Sequence, residues 1–204
     1  GQVMIASGNS SLGVGGQLVL SSGHSGAGSG RAGGDIRIET GAGAAGGSFD
    51  VRVSDGDGEL PGGRVSLSAG ASISAGGDVA VRAGAGAAGG KLVLEAGAGG
   101  LLGGSVSLVG GEGPASASGA VNIKTLSSRA SGEIVIETGF SAGASGSISV
   151  ATGASETDSG GKIALTAGAG RVGEGSSVSI AAGATSDISS VGGRLFLQAG
   201  SGGF

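Results

Sequence analysis

Residues 77–100 read GDVAVRAGAGAAGGKLVLEAGAGG and contain nearly the same phrase twice. The apolar residues and glycines of the two copies match, but the charged residues have opposite signs. Asp78 in the first copy corresponds to Lys91 in the second, and Arg82 corresponds to Glu95. A repeated phrase implies that one structural unit is used many times, so the interpretation of the chain begins from the repeat.

The repeat extends along the whole chain. Its eight positions follow the pattern Gly-x-(Val/Ile/Leu)-x-(Leu/Ile/Val)-x-(Ala/Thr/Ser)-Gly, with some variation, and we number them 1 to 8. Fourteen copies, spaced 13 to 18 residues apart, begin at residues 1, 16, 34, 47, 63, 77, 90, 104, 119, 132, 146, 161, 176 and 193. No change of composition interrupts them, which indicates one repeat domain over residues 1–204.

Each repeat has the alternation of a half-buried strand. Positions 3, 5 and 7 are apolar or small, whereas positions 2, 4 and 6 vary and carry most of the charge. The linkers, such as AGAGAAGG at 83–90, are too rich in glycine to form helices. Strands joined by such linkers could form an antiparallel meander, a solenoid with one repeat per turn, or a solenoid with two repeats per turn.

The exchanged charges favour one repeat per turn, because equal positions of consecutive repeats would then lie about 4.8 Å apart. Two repeats per turn would place Arg52 near Arg82, and a meander would place Arg64 on Arg82. With one repeat per turn, every pair of charged residues at equal positions combines opposite charges, and no pair combines like charges. The six pairs are Arg64–Asp78, Asp78–Lys91, Arg37–Asp50, Glu39–Arg52, Arg82–Glu95 and Lys124–Glu137.

The sequence therefore predicts an all-β fold, a parallel β-solenoid (β-helix) of about fourteen short rungs. One repeat of about 15 residues forms each rung. The Val, Leu and Ile side chains of positions 3 and 5 form a thin core, and the Gly- and Ala-rich linkers form a return face that allows the two walls to approach closely.

Composition limits the partners and the chemistry. The chain has 52 glycines, no cysteine, tryptophan or tyrosine, and a formal net charge of −4. This charge provides no basic surface for nucleic acid, and no apolar run is long enough to insert into a membrane. Without cysteine there are no disulfides and no thiolate chemistry.

Repeats such as GRVSLSAG at 63–70 and GKLVLEAG at 90–97 resemble the glycine-rich "GGxVxLxxG" repeats of short-rung β-solenoid proteins from extracellular fibres, adhesins and surface appendages. The resemblance covers the whole chain through the repeat alone. It implies an extracellular or cell-surface filament component, with no catalytic residues to transfer. The chain is accordingly expected not to be an enzyme and to have no cofactor.

The predicted function is a structural filament or fibre shaft that assembles head to tail through open β-sheet ends, with lateral association as a second mode. An ice-binding or other surface-binding module is the alternative, although the outward positions 4 and 6 carry no regular threonine columns. The predicted end-to-end interface consists of Gln2, Val3, Met4 and Ile5 at one end and Arg194, Leu195, Phe196 and Leu197 at the other.

Two further sites are candidates. Asp55, Asp57 and Glu59 place three carboxylates at alternate positions of a turn, an arrangement that fits either a partial Ca²⁺ site or a polar, glycine-rich bulge. Asn9 begins the sequence Asn-Ser-Ser, which would accept a glycan in a protein secreted by a eukaryote.

Overall fold

The repeats are joined by loops, and the residues that the structure describes form no regular secondary structure. The computed structural model describes residues 1–26, 32–57, 60–113 and 117–202. Within these ranges the chain has neither α-helix nor β-strand, only isolated bends and one turn at 188–189. The predicted all-β parallel β-solenoid of about fourteen rungs is therefore wrong, because the described part of the chain is coil-like.

A hydrogen bond closes most of the loops between repeats. The N–H group at position 1 of one repeat donates to the carbonyl oxygen at position 8 of the preceding repeat, and we call this closure the neck. Neck bonds measure 2.8–3.2 Å between nitrogen and oxygen and join Gly16 to Gly8, Gly34 to Gly23, Gly47 to Gly41, Gly63 to Ser54, Gly77 to Gly70, Gly90 to Gly84, Gly104 to Gly97, Gly119 to Gly111 and Gly193 to Gly183.

The neck explains why one repeat does not form one rung. In a rung, the linker would carry the chain back to the beginning of the repeat that it leaves, a distance of about 23 Å for seven strand residues. The neck instead holds the start of the next repeat beside the end of the preceding one. Within the described ranges no backbone hydrogen bonds join consecutive repeats beyond the neck, so no ladder of a meander forms either.

Glycine occurs at positions 1 and 8 of the motif for different structural reasons. A Cβ added at position 1 would lie 3.0 Å from the Gly8 nitrogen in the case of Gly16 and 3.2 Å from the Gly84 nitrogen in the case of Gly90. A Cβ added at Gly8 or Gly84, both at position 8, would meet nothing within 4 Å. Position 1 therefore needs glycine for close approach, whereas position 8 leaves room for a side chain.

The exceptions in the sequence agree with this distinction. Ser54 and Leu126 occupy position 8, where there is space. Ser176 occupies position 1, and in the described structure its N–H group makes no neck bond to Gly168. Neck bonds are thus found only where position 1 is glycine, although Gly132, Gly146 and Gly161 at position 1 make none in the described structure.

Position 7 faces the neck instead of a core. The hydroxyl groups of Ser7, Ser22 and Thr152 donate to the carbonyl oxygens of Gly16, Gly34 and Gly161 over 2.8, 2.7 and 3.2 Å. Where position 7 is alanine, as in the necks of Gly77, Gly90 and Gly104, its Cβ lies beside the same glycine. The preference for Ala, Thr and Ser at position 7 therefore follows from the small space beside position 1 of the next repeat.

The predicted Val/Leu/Ile core and the predicted charge ladder are both absent from the described part of the chain. No residue there is buried. The described residues form one ion pair, between Arg37 and Glu39 of the same repeat, in place of the expected pairs of Arg37 with Asp50 and of Glu39 with Arg52.

Short turns built on side-chain oxygens organise several linkers. In these turns a backbone N–H group donates a hydrogen bond of 2.9–3.2 Å to the hydroxyl of a residue two or three positions earlier in the chain. The accepting residues are Ser10, Ser72, Ser141, Ser155 and Thr185. Such turns are the usual local structure of serine and threonine outside helices and strands. The chain divides into two units, Gly1–Gly104 and Ser105–Phe204, and each contains both necks and hydroxyl turns.

Candidate functional site

The most regular exposed feature is the pair of aliphatic or aromatic residues at positions 3 and 5, which we call the apolar pair. It recurs in all fourteen repeats, from Val3 and Ile5 in the first to Leu195 and Leu197 in the last. Exposure of the position 3 side chains runs from 49% at Ile134 to 89% at Val3, and the position 5 side chains are exposed as well. The chain therefore offers exposed apolar surface in every repeat.

The backbone beside each apolar pair is also without an internal partner. Apart from the necks, the backbone hydrogen bonds of the described residues comprise only one turn bond, from the Ser190 N–H group to the Asp187 carbonyl. Segments with free N–H and C=O groups and alternating apolar side chains are templates for pairing with another chain. Apolar surface and pairing capacity thus coincide in every repeat.

The residues of the predicted end-to-end interface are accessible. Met4 and Phe196, the two large apolar side chains at position 4 in the terminal repeats, are 82% and 79% exposed. Residues 2–5 and 194–197 are not β-strands, so these segments present no ready-made sheet edge. They belong to different units, each described by itself, and the contact between them stays a prediction.

The other two sequence candidates also stay predictions. Asp55 and Asp57 are exposed, and Glu59 lies outside the described residues. The residues that are described contain no group of three side chains placed to hold a metal ion. Asn9 is exposed, and the hydroxyl of the following Ser10 accepts a 2.9 Å hydrogen bond from the Gly13 N–H group.

The hydrogen-bonded turn around the Asp187 carboxylate was missed by the sequence analysis. The Oδ2 atom of Asp187 accepts a 2.6 Å hydrogen bond from the Ser190 hydroxyl, and its Oδ1 accepts from the N–H and hydroxyl groups of Ser189. These bonds, the Ser190 bond foremost, lower the pKa of Asp187 from 3.8 to about 2. The sequence Thr-Ser-Asp-Ile-Ser-Ser at 185–190 is typical of such a turn and could have indicated it.

The turn should therefore be sensitive to strong acid. Because its folded pKa is depressed, the stabilisation from Asp187 is complete above pH 3.8 and is lost as the pH falls through about 2. NMR titration of the Asp187 carboxyl should give a midpoint near 2, and Ser190→Ala should raise that midpoint toward 3.8. An unchanged midpoint in the variant would show that the Ser190 hydroxyl does not hold the carboxylate.

No pocket is enclosed by the described residues. None of them forms a helix with the length and apolar character needed to cross a membrane. Comparison with family models, curated proteins and solved structures gives no match to this chain.

Proposed function

We propose that this chain is a structural filament or fibre-shaft protein that assembles with copies of itself. The observation that carries the proposal is the apolar pair, which is exposed in every repeat beside backbone groups that have no internal partner. Burial of apolar surface contributes about 25 cal/mol per Å². Association is the route by which this chain can gain the packing that its described residues lack.

A second copy is the partner that fits this surface best. Apolar pairs recur in every repeat, and another copy of the chain presents the same pairs in the same order. No pocket of the described residues concentrates polar groups for a small ligand. Contacts between repeated surfaces that do not close on themselves give filaments. We place the filament outside the cell or at the cell surface, in keeping with the repeat pattern that the chain resembles.

The alternative function is an ice-binding or other surface-binding module. An ice-binding face requires a regular array of exposed threonine hydroxyls, and the hydroxyl of Thr152 donates to the Gly161 carbonyl oxygen. No specific contact favours this alternative over self-association. Thermal hysteresis of the purified chain distinguishes the two functions, and the filament proposal expects none.

Assembly should depend steeply on concentration. Purified chain at increasing concentrations is expected to remain soluble below a threshold and to sediment above it, with unbranched filaments visible by negative-stain electron microscopy. A chain that stays monomeric by analytical ultracentrifugation across the whole concentration series would contradict the proposed function.

A further inference from the structure

The exchange of charges between consecutive repeats is not explained by contacts within the chain. Asp78 and Lys91 share position 2 of consecutive repeats, and Arg82 and Glu95 share position 6. None of these four side chains forms an ion pair in the described structure. At the junctions closed by a neck, including the one between Gly84 and Gly90, position 1 of a repeat lies beside position 8 of the one before, so equal positions of those repeats are not stacked within one copy.

The necks also remove the irregular linkers from the path of the chain. The linker between Gly84 and Gly90 has five residues, 85–89, and the linker between Gly183 and Gly193 has nine, 184–192. Both are closed by a neck bond of 2.9 Å. At the nine junctions with a neck bond, position 1 of one repeat therefore lies beside position 8 of the preceding repeat, although the sequence spacing of these repeats varies from 13 to 18 residues.

We propose that copies of this chain associate side by side and in parallel, displaced by one repeat, so that each repeat faces the next repeat of its neighbour. This inference rests on the proposed filament function and adds its register. Displacement by one repeat brings Asp78 of one copy to Lys91 of the other, and Arg82 to Glu95. In this register all six pairs of charged residues that face each other at equal positions combine opposite charges.

Other registers place like charges together. Association without displacement puts Arg82 on Arg82 and Glu95 on Glu95. Displacement by two repeats puts Arg64 on Lys91 and Arg52 on Arg82. Like charges directly opposite each other are destabilising, so the register with one repeat of displacement is selected.

The displacement also accounts for open-ended growth. Each added copy leaves one repeat unmatched at each end of the contact, and the surface offered to the next copy equals the one just covered. Such a heterologous contact does not close and continues into a filament. Apolar pairs of neighbouring copies meet in this register as well, since positions 3 and 5 are apolar in every repeat.

Charge reversal at Arg82 and Glu95 tests the register. Arg82→Glu and Glu95→Arg are each expected to raise the concentration at which the full chain assembles roughly threefold to tenfold, because each creates a like-charged contact between copies. The double variant R82E/E95R should assemble near the wild-type concentration. An equimolar mixture of the two single variants should do the same, since the glutamate introduced into one chain then faces the arginine introduced into the other.

Two variants control for net charge. Lys162→Glu changes the net charge from −4 to −6, as Arg82→Glu does, and Glu133→Arg changes it from −4 to −2, as Glu95→Arg does. Lys162 and Glu133 have only Ala or Ser at position 2 of the repeats before and after them. Both controls should assemble at the wild-type concentration, and losses equal to those of the test variants would overturn the inference.

The mixture separates the remaining registers. If the charges paired within one chain, the double variant would recover but the mixture would not. If copies associated without displacement, neither single variant would differ from wild type, and the mixture would assemble better than wild type. Either result overturns the inferred register and leaves the filament function standing, whereas a wild-type chain that never assembles overturns both.

Discussion

Replacing Leu92 and Leu94 with serine should raise the concentration needed for assembly more than roughly a hundredfold. These residues are the apolar pair of the seventh repeat, and both are exposed in the single chain. If association buries them, each leucine contributes about 1.5–3 kcal/mol that the serine variant forfeits. Sedimentation of the wild-type and variant chains over matched concentration series measures the difference.

Leu101 and Leu102 provide the matched control, since they are two leucines in the next linker, outside any repeat. Their side chains are 98% and 87% exposed, and the linker that carries them is closed by the neck of Gly97 and Gly104. Replacing both with serine changes hydrophobicity by the same amount and should leave the assembly concentration unchanged. Equal losses in the two double variants would mean that association is unspecific and does not use the apolar pair.

The repeat and its alternation could be predicted from the sequence, but the strands could not. Alternation in GKLVLEAG at 90–97 indicates which side chains share a side, and this needs only local chain geometry. A strand additionally needs a partner backbone, which alternation does not supply. The predicted partner was the adjacent repeat, and the necks at Gly90 and Gly104 keep adjacent repeats from lying side by side in register.

The charge pattern was assigned to the wrong contacts. Opposite charges at equal positions predicted a pair between Arg37 and Asp50, whereas Arg37 pairs with Glu39 two residues along the chain. Residues two apart lie on the same side of an alternating segment, so this local pair was available from the sequence. We assign the remaining opposite charges to contacts beyond the single chain, with the neighbouring copy of the proposed filament.

The role of the glycines was only half predictable. Sequence analysis identified glycine at positions 1 and 8 but gave no reason that distinguishes them. The structure separates them, because only a Cβ at position 1 meets the neck. That difference depends on a contact across five to ten linker residues, which no local propensity describes.

Gly16→Ala should open the first neck. A Cβ at residue 16 would lie 3.0 Å from the Gly8 nitrogen, 3.1 Å from the Gly8 oxygen and 3.1 Å from the Ser7 Cβ. Two hydrogen bonds of 2.8 Å depend on this approach, from the Gly16 N–H group to Gly8 and from the Ser7 hydroxyl to Gly16. Their loss costs about 1–2 kcal/mol, so amide hydrogen exchange at residue 16 should become roughly five- to thirtyfold faster.

Gly8→Ala is the control on the other side of the same neck. A Cβ at residue 8 meets nothing within 4 Å, and its φ is not in the left-handed region. Alanine there also restricts the open chain, which should stabilise the closed neck by about 0.4–1 kcal/mol. Exchange at residue 16 should then be unchanged or slower, with the amide of Gly90 in its distant neck as the internal reference. If both substitutions accelerated exchange at residue 16 equally, close approach would not be the reason for glycine at position 1. The neck could not then be what keeps the repeats in step along a filament.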